Sequence, residues 1–291
     1  MIDVDGEELQ VQHGHWLDEK LRPLGGGLSE YCFANLYLYR HVHDYRLIRG
    51  QRHFVSGRTY DGRRHLLPLF DPASAAPREL AVALNGYDFF YPLSGAAVES
   101  LDPQVFAAEF VEDDSDYVYD ADKLRSYRGV KLRKKRNLMS QFLRAGSAET
   151  YPLTPARRPD AREVLVQWQA EVSRPREETD YAPCDEALEQ LDPLGLTGFM
   201  TYMGGEPAGF VLGGESRPGE FIVHFAKGKR EFTGVFPYLF HDLAKRQGNR
   251  FLRYNFEQDL GRPNFRLTKR SYDPAEMRHK YRVRCRYPTA P

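Results

Sequence analysis

Asn255, Glu257 and Asp259 stand at alternate positions at the end of an apolar run, residues 251–256, that has the composition of a buried strand. On an extended chain alternate residues share a face, so an amide and two carboxylates project together. Gly261 and Pro263 end the run, and Arg266, Lys269, Arg270, Ser271 and Tyr272 follow. Glu257 and Asp259 could hold a cationic amine or serve as a base, and Lys269 could act beside them. Arg266 and Lys269 suit a phosphate or carboxylate, and Asn255, Ser271 and Tyr272 add polar substrate contacts. The same residue types also build structural ion-pair networks between a strand end and the helix after it.

A second group lies one strand earlier. His224 and Lys227 close the apolar run 221–226, where a histidine is either a general base or a hydrogen-bonded strand-end residue. The next segment, 227–234 (KGKREFTG), precedes a helix and is where an acyl-CoA pyrophosphate would find backbone N–H groups. It holds Gly228 and Gly234 but no close glycine pair. Residues 123–136 contain eight cations, with Lys134, Lys135 and Arg136 as the expected phosphate contacts and Tyr127 placed to stack on a base. The seven acids in residues 109–122 offer the competing reading, that the two runs compensate each other. His13/His15 and His41/His43 have no nearby cysteine, and no metal is expected.

These residues need a scaffold, and the chain of 291 residues is long enough for two domains. Eighteen Tyr and eighteen Phe supply a large core, and 41 cations balance 41 acids, so any attraction for nucleic acid must be local. No segment approaches the ~20 apolar residues of a membrane span. Three distant cysteines and an acidic start without a signal-peptide pattern suggest a cytoplasmic protein. The pattern predicts helices at 30–40, from 103, at 130–144, 161–173, 185–191 and 236–246. Strands are predicted at 66–70, 89–93, 199–203, 208–213, 221–226, 251–256 and 281–287, the last with Arg282, Arg284 and Arg286 on one basic face. Three prolines within 151–160 read as a linker, giving domains 1–152 and 153–291.

Hairpin, strand, helix, strand, the order over 199–256, is the core order of the acetyltransferase-like (GNAT) fold. In that fold two parallel strands splay at their C-terminal ends, which here places His224 and Lys227 opposite Asn255 to Asp259. Four segments, SEYCFANLY (29–37), DYVYDADKL…GVKLRKKRN…F (116–142), HFAKG (224–228) with Gly234, and NFEQDLG…FRLTKRSYDP (255–274), resemble a domain-of-unknown-function family. That family is related to the C-terminal catalytic domain of phosphatidylglycerol lysyltransferase. Its members often have arginine where this chain has Phe256.

The resemblance implies an α/β fold of two tandem GNAT-like domains, each a mixed twisted sheet flanked by helices. It also implies kinship with enzymes that move an aminoacyl group from charged tRNA onto a lipid, peptide or small molecule. The expected function is therefore an acyltransferase using aminoacyl-tRNA, with no tightly bound cofactor and with a soluble or lipid acceptor. The alternatives are an acetyl-CoA-dependent N-acyltransferase, with pyrophosphate on residues 227–234, and a non-catalytic binding module of the same fold.

Overall fold

The computed structural model describes residues 6–287. Their strands, in chain order, are β1 (Glu7–Glu8), β2 (Arg46–Ile48), β3 (Phe54–Arg58), β4 (Arg64–Pro68), β5 (Phe89–Leu93), β6 (Phe106–Phe110) and β7 (Asp116–Asp120). They continue as β8 (Ala148–Pro152), β9 (Thr197–Met203), β10 (Glu206–Arg217), β11 (Glu220–Gly228), β12 (Arg253–Asn255), β13 (Glu276–Arg278) and β14 (Tyr281–Cys285). One sheet has the order β1-β2-β3-β4-β5-β14-β6 and the other β13-β7-β12-β11-β10-β9-β8. The chain divides into two compact units. The first takes the chain to Asp116, Gln258–Gly261 and the chain from Arg278; the second takes Tyr117–Glu257 and Arg262–Met277.

The expected boundary at 152/153 is thus corrected, because residues 117–152 belong to the second unit. β7 pairs antiparallel with β12, and β8 pairs with β9 over Thr150↔Thr201 and Tyr151↔Met200. The proline-rich stretch 151–160 is not a linker: it ends β8 and opens the Arg158–Glu171 helix, with Pro159 in the first turn, where a missing N–H costs nothing.

In the first unit, β14 inserts between β5 and β6, and Tyr281 pairs with both Leu93 and Phe110. Its presence explains why residues 106–110 form a strand and not the expected helix, since each of them faces a β14 residue. Apolar side chains from the middle of the sheet, Ile48, Phe54, Leu66, Phe90, Leu93 and Val283, make the core. The basic face expected on β14 is largely committed: Arg282 pairs with Asp61 (2.8 Å) and Asp114 (3.0 Å), and Arg286 donates to the Pro103 carbonyl.

Just before β14 lies a buried charge cluster that the sequence did not announce. The Lys280 ammonium, wholly shielded, contacts Asp116 at 2.7 Å and Glu30 at 2.8 Å, and donates to Ser29 Oγ and Gln258 Oε1. Ser29 itself donates through its N–H and hydroxyl to Asp116. Lys280 bridges the two carboxylates, and burial, opposed by Lys280 and reinforced by Asp116, pushes Glu30 up to about 7.

In the second unit, the β9–β10–β11 meander is antiparallel and β12 joins β11 in parallel through the Val235–Arg246 helix. That helix buries Tyr238, Leu239 and Leu243 against Phe142, Phe221 and Tyr254. Each such side chain contributes about 1.5–3 kcal/mol. Gly234 caps the helix at φ 91°, and a Cβ there would collide with the Leu138 carbonyl of the Arg133–Arg144 helix. The glycine that resembled part of a phosphate cradle permits close helix packing.

Candidate active site

β11 and β12 are paired only over Glu220↔Arg253, Phe221↔Tyr254 and Ile222↔Asn255. β11 then runs on to Gly228, while the chain after Asn255 bonds the other way, Phe256 N–H to the Tyr117 carbonyl. The two parallel strands therefore part beyond Ile222 and Asn255.

His224 lies at this point in a β-bulge, because Leu212 pairs with Phe225 but Gly213 with Val223, leaving His224 as the extra residue. A bulge re-aims a side chain out of the strand's alternation. Gly213 makes it possible, since a Cβ there would fall on the Ile222 carbonyl oxygen. The imidazole is re-aimed onto Glu257, Nδ1 to Oε1 at 2.8 Å. The His224 side chain is 1% exposed and that of Glu257 14%, so the carboxylate forms the more open end of the pair. An ionised carboxylate only accepts, so in this bond it is Nδ1–H that donates to Glu257.

Glu257 is held in place through its backbone. Its φ of 57° is left-handed, a conformation that costs a non-glycine residue about 1–2 kcal/mol. Three bonds impose it: Asn255 Oδ1 accepts its N–H at 2.8 Å, and its carbonyl accepts from Tyr117 N–H and from Lys269 Nζ at 3.1 Å. Lys269 also donates to the Phe256 carbonyl at 2.6 Å. Asn255 and Lys269 thus hold Glu257 in position, which is a supporting role for both. A strained, over-determined residue presenting a carboxylate to a buried imidazole is an arrangement suited to proton transfer.

The phosphatidylglycerol lysyltransferase C-terminal family model matches residues 22–284. The chain belongs to that family. Among solved structures, it is similar to a conserved protein of unknown function from Bacteroides thetaiotaomicron VPI-5482, with 21% identity, 98% and 99% of the two chains covered and a TM-score of 0.84. It is similar also to L-PGS from Bacillus licheniformis, with 17% identity, 98% and 95% coverage and a TM-score of 0.62. A tandem GNAT protein from the clavulanic acid biosynthesis pathway aligns over 98% and 99% of the chains at 9% identity, with a TM-score of 0.50. These likenesses show a tandem GNAT-like fold, while a search of curated proteins finds no match. Family membership supports transferase chemistry.

For this member of the lysyltransferase C-terminal family, the other expected site residues fall into distinct environments. Lys227 is buried, its ammonium held by both oxygens of Asp180 (2.6 and 2.8 Å) and set 3.5 Å over the Trp168 ring. Asp259 is counted with the first unit, where it is buried and accepts the Gly261 N–H. Arg266 is half-buried on the Pro263–Arg270 helix, and the Ser271 hydroxyl bonds back to the Thr268 carbonyl. Tyr272 is a correction: it is buried among Tyr119, Phe240 and Phe256, so it packs the core and does not meet substrate. Phe256 packs in the same cluster, 4.5 Å from Phe240, which gives the position that is often arginine in the family a packing role here.

The basic run needs a similar correction. Lys135 is buried with Nζ 3.7 Å over the Tyr272 ring, and burial, then Lys134, holds it down at about 8. Arg136 donates to the carbonyls of Tyr127 and Gly129, and Tyr127 is wholly buried with its hydroxyl on the Pro237 carbonyl. Lys123 and Lys131 both bind Asp273. Lys134 remains exposed, as do Arg128 and Arg133.

Residues absent from the sequence expectation are Asp180 and Gly213. Gly213 ends the predicted strand 208–213 and is followed by Gly214, and such a glycine pair is a usable bulge signal. Nothing in the pattern links Asp180 to Lys227 across 47 residues. Among the described residues no group of three His, Cys, Asp or Glu gathers as a metal site, and no helix is long and apolar enough to cross a membrane.

Proposed function

We propose that this chain is an aminoacyltransferase that takes an aminoacyl group from aminoacyl-tRNA and passes it to a hydroxyl- or amine-bearing acceptor, with His224 and Glu257 handling the proton. The observation that carries this reading is the 2.8 Å bond between His224 and Glu257 where the two parallel strands part. The acceptor oxygen or nitrogen attacks the ester carbonyl, the bond to the tRNA ribose oxygen breaks, and a new ester or amide forms. The proton lost by the acceptor passes to the pair and is returned to the ribose oxygen. On this reading the reaction runs in the cytoplasm, where charged tRNA is found.

The loop before the Val235–Arg246 helix supports tRNA over acyl-CoA as donor. A pyrophosphate there needs open N–H groups. Those of Lys229, Phe232, Thr233 and Val235 donate to the carbonyls of Ala208, Lys229, Glu231 and Phe232. The Arg230 N–H is taken by the Glu171 carboxylate, an anion in its own right. Lys229 is paired with Glu163 at 2.7 Å.

The test is transfer of labelled amino acid from a set of charged tRNAs into a panel of soluble and lipid acceptors. The expected result is label leaving one tRNA with the native chain, and about 10²-fold slower release with His224→Ala, tRNA binding being unchanged. Equal transfer by both proteins sinks the assignment. Saturable binding of acetyl-CoA without any tRNA-dependent transfer would replace it with the acyl-CoA reading.

A further inference from the structure

We propose that the first unit binds a small phosphate-bearing molecule on the β2–β3–β4 face of its sheet. The cavity there measures about 540 Å3 and is lined by Asp44, Arg46, Ser56, Arg58, Arg64 and Tyr87. That volume is within the usual range for small-ligand sites. It lies wholly within the first unit, so the inference stands apart from the transfer reading.

Three observations point to an anion. First, Arg58 and Arg64 are directly opposite one another on antiparallel β3 and β4, so both side chains leave the same face. Like charges in that register are destabilising unless something lies between them. Second, the acids nearby pair with other cations: Asp44 with Arg46, both in the lining, Asp88 with Arg63 while also accepting the Arg64 N–H, and Asp61 with Arg282. Arg58 donates to the Gly62 carbonyl, and Arg64 lies 4.7 Å over the Tyr87 ring, leaving two guanidinium charges uncompensated by a carboxylate. Third, the Tyr87 hydroxyl is shut from solvent and meets no hydrogen-bond partner among the described residues. Paired planar guanidiniums beside hydroxyls fit the tetrahedral oxygens of a phosphate group, which Arg recognises through paired N–H donors. The phosphate could arrive as the free ion or as a phosphomonoester.

Thermal melting of the full chain at low salt tests the inference, with the native protein compared with an Arg58→Gln/Arg64→Gln double variant. Inorganic phosphate and glycerol 3-phosphate are the probes, and chloride at matched ionic strength is the control. The native chain is expected to gain about 3 °C or more at saturating phosphate. The double variant should gain nothing, yet melt no lower than the native chain in chloride, because the like-charge pair is gone. Glycerol 3-phosphate acting at the lower concentration supports an ester ligand, and inorganic phosphate acting at the lower concentration supports the free ion. Equal gains by both proteins, or no gain by the native chain, overturn the proposal. Unacylated tRNA binding that falls about tenfold in the double variant, with no phosphate response in the native chain, overturns it in favour of an RNA contact.

Discussion

A parallel strand pair occurs in each unit, β4/β5 in the first and β11/β12 in the second, and the two pairs end in different residues. In the first unit β4 and β5 pair over His65↔Phe89 and Leu66↔Phe90, and the residues beyond are Leu67, Pro68, Tyr91, Pro92 and Leu93, all buried. In the second, β11 and β12 run on into His224, Lys227, Asn255 and Glu257. Both pairs also bury a histidine. His65 has no partner on Nδ1, and burial drives it down to about 3, so it stays neutral. His224 faces a carboxylate at 2.8 Å. The repeated fold supplies the strand geometry twice, but the bulge at Gly213 and the left-handed Glu257 give only one copy a polar pair. A site is therefore a property of the strand ends and not of the fold.

The largest expected effect sharpens this difference. Glu257→Gln should keep the fold and lower transfer by about 10²–10⁴-fold, because the amide cannot take a proton. Leu66→Ala, in the paired part of the first unit, should do the reverse: a stability loss of about 2–5 kcal/mol in urea melts, with transfer per folded molecule unchanged. If Leu66→Ala abolishes transfer at full folding, the two strand pairs are not separable in function.

Next in size is the buried cluster of the first unit. Lys280→Ala removes the ammonium that Asp116 and Glu30 both contact, and breaking a buried pair costs about 3–5 kcal/mol. Equilibrium denaturation should show that loss; a change under 1 kcal/mol would mean that water replaces the ammonium. A smaller, pH-dependent effect comes from Glu30 itself. Its folded value of about 7 lies above the ordinary 4.5, so the native state binds more protons between those values. The contribution is fully present below about 4.5 and fades as pH rises through about 7. Glu30→Gln should flatten that slope in melts from pH 4.5 to 7.5, and an unchanged slope would assign it to another group.

The sequence showed the second unit's sheet well because the β9–β10 hairpin, β11 and the Val235–Arg246 helix are set by local pattern. It also singled out His224 and Glu257, since polar residues ending apolar runs are visible in one dimension. Long-range pairing was not visible. β14 reaches its place between β5 and β6 from nearly two hundred residues away, which turned a predicted helix at 103–111 into β6. The same holds for Lys280, whose partners Glu30, Asp116 and Gln258 are scattered through the chain. Tyr272 and Lys135 read as site residues because polar tips announce chemistry, while their rings and stems were going into the core.

The smallest expected effect separates two neighbouring lysines. Lys134 is exposed, whereas Lys135 is buried with its ammonium over Tyr272. If the Arg133–Arg144 helix meets tRNA, Lys134→Ala removes one phosphate contact. Binding should weaken a few-fold at low salt, and the slope of log affinity against log salt should fall by about 1. Lys135→Met should leave the slope unchanged and alter melting instead, because its charge faces an aromatic ring in the core. Equal salt slopes for the native chain and the Lys134 variant would remove this helix from the RNA surface. The chemistry at His224 and Glu257 would stand, since their geometry is set by the bulge and by Asn255 and Lys269, independently of where the tRNA body lies.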